Sequence, residues 1–348
     1  MPLARPRRPV PRLSILLPAL LLGALAPLPQ PWVSTPAEAQ PVVGAEPPRA
    51  LAAGAAPRAA PGRHAGALAT PPPGPHRPGG SPQPAPARDD AILRQALVQG
   101  VTMGLPGISV AVGLGDSLAW VGTAGFADLG ARIPVEPADR FGVGSITKTM
   151  VARVILQLAE EGLVELDRPA TDYVEHDILR RVPHADRATL RQLINHQSGV
   201  PTWEFQEEWI RRGRGADMEL GHVWGKTETL EYCTADVLPA PHAPGERYAY
   251  SNTNYTLLGL VVEAVTGSDA AEVIRRRILE PLGMEETFLE SFEPIPGGYV
   301  SHYHYATPRF REVAGVHPAF EEVRPYLVES TAANLSPEWT AGGMVSSA

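Results

Sequence analysis

Apolar residues recur at three- and four-residue spacings in two long stretches of the chain. Met150, Val151, Val154, Ile155 and Leu158 share one helical face and Gly162 closes the run, so a helix is predicted just after Ser145. Leu257, Leu258, Leu260, Val261 and Ala264 predict a second helix over residues 251–266, stopped by Gly267. Ser268 is expected to cap a third, which runs through Leu279 and ends at Pro281-Leu-Gly283. Upstream, Ile92, Leu93, Ala96 and Leu97 make one face of a helix over 89–101, stopped by Pro106 and Gly107. Residues 108–112 and 117–122 are predicted strands, with hairpin chemistry in Gly113-Leu-Gly-Asp116. A short helix over 190–195 enters His196-Gln-Ser-Gly199, and 203–240 is irregular and helix-prone. No further sheet is clear after that stretch, so the pattern predicts an α/β domain short of strands.

The first 88 residues read differently. Arg5, Arg7, Arg8 and Arg12 precede sixteen apolar-rich residues, 13–28, and Ala37-Glu-Ala39 is a small-x-small cleavage site. This predicts a secretory signal over 1–39, because the apolar core falls short of the ~20 residues that a membrane span needs. Residues 40–88 are dominated by Ala, Pro and Gly and cannot bury enough apolar surface to order themselves. They are read as an extended linker, which leaves one folded domain over 89–348. The expected location is periplasmic or secreted, with no integral span after signal cleavage.

From Asp89 onward there are 21 basic and 36 acidic residues, a balance that argues against nucleic acid as a partner. Cys233 is the only cysteine, so no internal disulfide can form, and it reads as a small core residue. His302-Tyr-His304 is the one close histidine pair; strand alternation accounts for it, so no metal or cofactor is expected.

Only two of the 30 basic residues are lysines, Lys148 and Lys226. Lys148 follows Ser145 by three residues, on one helical face. A serine hydroxyl is a poor nucleophile until a base takes its proton. A buried lysine can be that base, and arginine cannot. Gly142 and Gly144 break regular structure just ahead of the serine, so Ser145 is expected at the helix's first turn, where free N–H groups favour negative charge. A second cluster, Tyr250-Ser-Asn252, places a phenol and an amide at the start of another helix. A phenol can relay a proton, and an amide can hold a carbonyl or an amine.

The chain resembles the β-lactamase/penicillin-binding-protein superfamily of serine hydrolases, in its class C-like branch of DD-carboxypeptidases, D-aminopeptidases and family VIII-type esterases. The resemblance covers residues 89–348. It rests on an ordered series: Leu105-Pro-Gly-Ile-Ser-Val-Ala111, Arg140-Phe-Gly-Val-Gly-Ser-Ile-Thr-Lys148, Gly162-Leu-Val-Glu-Leu-Asp167, Leu193-Ile-Asn-His-Gln-Ser-Gly199, Tyr250-Ser-Asn252, Glu280-Pro-Leu-Gly-Met284 and Ala341-Gly-Gly343. It implies an antiparallel sheet flanked by helices plus a mostly helical subdomain. It also implies acyl transfer with Ser145 as nucleophile, Lys148 as base, Tyr250 as proton shuttle, and Asn252 orienting substrate and Lys148. The Ser145 N–H would be one oxyanion donor, and His196 a structural residue. The substrate would be a small ester, a D-amino-acid peptide or a β-lactam, with peptidoglycan a possible partner. Residues 201–249, with Trp203, Trp209 and Trp224, are expected to shape one pocket wall.

Such proteins carry a third motif, Lys-Thr-Gly or His-x-Gly, C-terminal to Tyr-x-Asn, and none follows Asn252 here. The chain is therefore read as incomplete at its C-terminus, missing strands of the sheet and expected to fold poorly and lack activity alone. The alternative is a penicillin-binding-like protein that binds peptidoglycan or a partner without turnover. An α/β-hydrolase is excluded, because no serine lies in Gly-x-Ser-x-Gly.

Overall fold

The computed structural model describes residues 87–348. The signal expected over 1–39 and the linker expected over 40–88 lie outside the described residues, except that the first helix starts at Ala87, two residues into the expected linker.

That helix, α1 (Ala87–Thr102), packs on a long hairpin of β1 (Gly107–Leu114) and β2 (Ser117–Asp128). Of the apolar face predicted for α1, only Leu97 is buried, while Ile92 stays more than half exposed. The helix lies against the hairpin, and a Trp120 Nε1–H bond to Asp90 fastens it there. Strand β3 (Ile133–Pro134) pairs with the end of β2, and β4 (Phe141–Gly142) leads into the turn that carries Ser145.

The next two residues enter α2 (Thr147–Glu160), which buries Val151, Val154, Ile155 and Leu158 as the spacing predicts; Gly162 follows with φ of +73°. Short helices α3 (Asp177–Arg181), α4 (Leu190–Ile194) and α5 (Glu207–Arg214) follow it along the chain. A Thr189/Gln192 capping box starts α4. Helix α6 (Thr253–Thr266) runs through the centre of the core and is buried on nearly every side, which is why its apolar residues are not confined to one stripe. Gly267, at φ +66°, ends it. Asp269, not Ser268, caps α7 (Ala270–Ile274), because its carboxylate accepts the Ala271 N–H. After one π-turn at Arg275–Leu279 comes α8 (Glu280–Leu282).

The region expected to lack sheet holds five strands: β5 (Phe288–Leu289), β6 (Tyr303–Tyr305), β7 (Glu322–Arg324), β8 (Leu327–Glu329) and β9 (Met344–Ser346), with α9 (Pro308–Val313) and α10 (Trp339–Gly342) between them. Each is two or three residues long, too short for a two-residue period to show in sequence. The fold is α/β with antiparallel pairing, as expected, but the strands form three small sheets ordered β1-β2-β3, β4-β9-β5 and β6-β8-β7. The middle one matters for the site. Strand β9 lies between β4 and β5, with Gly142 opposite Val345 and Leu289 opposite Met344. Val143 N–H bonds Met344 O at 2.9 Å, and Met344 N–H bonds Thr147 Oγ1 at 3.2 Å. The turn that carries Ser145 is thus tied to the last strand on both sides.

Gly259 sets the depth of α10. A Cβ there would lie 2.3 Å from Thr340 Oγ1 and 2.8 Å from the Trp339 ring. Without it, α10 docks on α6, and Thr340 Oγ1–H bonds Tyr255 O at 2.8 Å. Among the described residues no helix is long and apolar enough to cross a membrane.

Candidate active site

Ser145 sits in a single 3-10 turn, Gly144–Ile146, directly ahead of α2. The sequence expectation placed it in the first helical turn, one step further in; Gly144, at φ +52°, makes the tighter turn and leaves the serine exposed. Lys148, in the first turn of α2, is only 5% exposed. Its Nζ donates to Ser145 Oγ at 3.1 Å, to Asn252 Oδ1 at 2.7 Å and to the Ala341 carbonyl. The rings of Tyr250 and Tyr255 flank it at 4.9 and 5.4 Å. Tyr250 OH lies 2.7 Å from Ser145 Oγ. All four residues singled out in the sequence therefore converge, although about a hundred residues separate the two pairs.

The loop of Tyr250 and Asn252 hangs on the 196–202 segment. Ala249 N–H bonds His196 O, and Ser251 N–H bonds His196 Nδ1 at 3.1 Å. Ser251 Oγ–H bonds Pro201 O, and Asn252 N–H bonds Thr202 Oγ1. The His196 ring stacks on Tyr250, with centroids 4.4 Å apart. An Nδ1 that accepts from a backbone N–H puts the ring proton on Nε2. Burial, aided by the nearby Lys148, lowers this histidine to about 4, so it is neutral at pH 7. His304 is lowered to about 4 as well, chiefly by burial. The unfolded chain, with histidines near 6.5, binds more protons than the fold between those values. Stability is therefore expected to fall as pH drops from about 6.5 towards 4, by about 1.4 kcal/mol per pH unit for each histidine, less about the same amount from Glu204, which burial raises to about 7 and which works the other way down to about 4.5. Urea midpoints at pH 7, 6 and 5 measure it, and His304→Phe should flatten the slope.

Burial lowers Lys148 to about 8, while Glu204 and Glu338 oppose the shift. At pH 7 that raises the neutral fraction of the amine about 300-fold over an ordinary lysine. A neutral amine has two N–H groups and one lone pair. With Asn252 Oδ1 and Ala341 O taking the two hydrogens, the lone pair faces Ser145 Oγ. Burial also raises Tyr250, so its phenol keeps its proton at neutral pH. The group can accept a proton from a serine hydroxyl and deliver one to a neighbouring atom.

Three features of the site have no functional role assigned from the sequence, although Ala341-Gly-Gly343 belongs to the family series. One is the Ala341 carbonyl. Another is Glu204, in the 3-10 turn Trp203–Phe205, whose carboxylate accepts from Asn252 Nδ2. The third is Glu338, whose carboxylate takes both bonds from Arg214 Nη2. Glu204 stands between two aromatics in a Pro-Thr-Trp-Glu-Phe run, the only trace it leaves. Trp203, Trp209 and Trp224, expected on a pocket wall, are 0, 5 and 5% exposed. They pack on one another in the interior, with the Trp203 and Trp209 ring centroids 4.5 Å apart and Trp224 next to Trp209.

Cys233 is buried, bonds Thr253 Oγ1 at 3.2 Å and is pushed by burial to about 12, the state of a core thiol. His302 stacks on Tyr299 and His304 meets Phe310 edge-on. Among the described residues no group of three or more His, Cys, Asp or Glu could hold a metal ion.

The chain as a whole is similar to several known proteins. A D-stereospecific amidohydrolase from Streptomyces sp. superposes with a TM-score of 0.60 at 28% identity, over 74% of this chain and 68% of that one. D-amino acid amidase from Ochrobactrum anthropi SV3, complexed with L-phenylalanine, gives 0.61 at 26%, over 74% and 68%. Among curated proteins, Protein flp of Staphylococcus aureus (strain MW2) is 27% identical over 200 residues, 57% of this chain and 37% of that protein. The chain thus spans well under half the length of such curated relatives. The Beta-lactamase family model matches residues 93–348, nearly all of the described structure, and the chain belongs to that family, within the β-lactamase/penicillin-binding-protein superfamily of serine hydrolases.

Proposed function

We propose that the chain belongs to an exported serine hydrolase that cleaves an amide or peptide of a D-amino acid through an acyl-enzyme on Ser145. The observation that carries this reading is the buried Lys148 amine, which lies within hydrogen-bond reach of Ser145 Oγ, Asn252 Oδ1 and the Ala341 carbonyl; once neutral, it can give its two hydrogens to Asn252 and Ala341 and keep its lone pair for the serine. In acylation, Oγ attacks the substrate carbonyl carbon and its proton passes to Lys148 Nζ. The Ser145 N–H receives the developing oxyanion. Tyr250 OH gives its proton to the leaving nitrogen as the C–N bond breaks, and Lys148 returns a proton to the phenolate. In deacylation Tyr250 OH passes its proton to Lys148 Nζ as it takes one from the attacking water, the water oxygen bonds to the acyl carbon, and Lys148 returns its extra proton to Ser145 Oγ as the ester bond breaks. The substrate class draws support from two structural relatives described as a D-stereospecific amidohydrolase and a D-amino acid amidase. Export draws support from the N-terminal sequence.

The test is a panel of D-phenylalanine amide, L-phenylalanine amide, p-nitrophenyl butyrate and benzylpenicillin, read by product release and by intact mass. Turnover is expected because Ser145, Lys148, Tyr250 and Asn252 stand assembled, against the expectation from the absent third motif that the chain alone lacks activity. The expected result is D-amide turnover at least ~10-fold above L-amide. Discrimination of this size corresponds to about 1.4 kcal/mol in the transition state. Preference for the L-amide, or turnover of the ester or the penicillin alone, overturns the substrate assignment. A protein that binds these compounds without any acyl adduct or product supports recognition without turnover instead.

A further inference from the structure

Glu204 is the ionisable group beside the site that the acyl-transfer steps leave without a task. Its neighbours fix it well. Trp203, next to it, is wholly buried, and Thr202 receives the Asn252 backbone N–H. Its carboxylate accepts from Asn252 Nδ2, while the other end of the same amide, Oδ1, accepts from Lys148 Nζ at 2.7 Å. An ionised carboxylate can only accept hydrogen bonds, and an amide has one accepting and one donating end. With a carboxylate on one side and an amine that must donate on the other, one orientation of the amide satisfies both. A protonated acid at 204 offers a donor of its own. The amide can then turn over and point its NH₂ group at the lysine, donor against donor.

We propose that ionised Glu204 sets the orientation of the Asn252 amide and through it aims the Lys148 lone pair at Ser145, so that Glu204 is a positioning residue for acylation. This rests on the acyl-enzyme chemistry proposed above.

The charged and titratable groups around Glu204 come from several elements. Lys148 faces it from α2, Glu338 from the residue ahead of α10 with Arg214 of α5 paired to it, Tyr250 from the loop before α6, and the Cys233 thiol from the 3-10 helix Glu228–Cys233. Burial raises Glu204 to about 7; Lys148 opposes the shift and Glu338 adds to it. Lys148 itself stands at about 8, held up by both carboxylates against burial. The competent state therefore requires two deprotonations, Glu204 and then Lys148. The logarithm of the acylation rate should climb with pH at a slope approaching two below pH 7, easing to one and then to a plateau.

Replacing Glu204 with glutamine keeps the shape and removes one ionisation. In Glu204→Gln the slope should fall to one. Loss of the negative charge should move the Lys148 limb to lower pH. The plateau should drop about 10- to 100-fold, because the freed amide no longer holds the amine in line. Glu204→Asp restores an acceptor-only group and should recover the steeper slope and part of the plateau. The measurement is the rate of fluorophosphonate labelling from pH 5 to 10, followed by intact mass on the full chain, with thermal melting of each variant. A Glu204→Gln profile parallel to wild type at every pH, whatever its height, overturns the proposal. So does a Glu204→Asp profile with the slope of Glu204→Gln. Wild type that labels but cleaves no D-amino-acid amide removes the substrate assignment and leaves this comparison intact. Wild type that takes no label at any pH overturns both.

Discussion

The Ser145→Ala variant is expected to take up no fluorophosphonate and to lose at least about 10⁴-fold in hydrolysis, with its melting temperature nearly unchanged. The size follows from removing the nucleophile of a unit whose members act together, where what remains is binding and the oxyanion donor. The stability expectation follows from place: Ser145 is exposed in a 3-10 turn, and the turn is held by backbone bonds to β9, not by the serine side chain. No neighbour can take over its role. Cys233 is buried and pushed to about 12, and Tyr250 is raised by burial, so neither offers an anionic nucleophile at neutral pH. Intact mass before and after labelling, with peptide mapping of any adduct, decides it. An adduct that persists on the alanine variant would remove Ser145 from the chemistry.

Lys148→Arg is expected to lower acylation at least about 10³-fold even though it keeps the positive charge. General-base help alone is worth 10²–10⁴. Arginine cannot release its proton in the working range. Its planar fork also cannot place one nitrogen among three acceptors, as Nζ does between Ser145 Oγ, Asn252 Oδ1 and Ala341 O. The pH profile separates these roles. In wild type the rate rises as Lys148 loses its proton through about pH 8; in Lys148→Arg no such limb should remain, and raising the pH to 10 should not restore the rate. Stopped-flow labelling over pH 6–10 reads both. Activity within about 10-fold of wild type would mean that the lysine serves by charge alone and that another group is the base.

Much of this site was legible in the sequence because the information is local. Ser145 and Lys148 lie three residues apart on the same helix start, and Tyr250 and Asn252 two apart on the same loop. The spacing of Val151, Val154, Ile155 and Leu158 announced α2, and Gly162 and Gly267 announced where two helices end. The apolar face read for α1 shows the limit of the same reasoning: periodicity marked a helix correctly, but packing left Ile92 more than half exposed. The indoles of 203–224 show the opposite error, since aromatic residues read as a pocket wall went to the interior.

The family resemblance, the main helices and the four side chains that meet at the site can be read from the chain, since each rests on a local period or a short motif. The rest depends on contacts between distant parts of the chain. Strands of two or three residues exist only because their partners are there, as β9 exists between β4 and β5. The Ala341 carbonyl reaches Lys148 because Gly259 lets α10 approach α6, and a backbone carbonyl has no side-chain identity to be read. The proton affinities of Lys148, His196 and Glu204 are set by burial and by charges brought from distant parts of the chain. Such shifts come from desolvation and from through-space charge, which depend on three-dimensional distance and not on position along the chain.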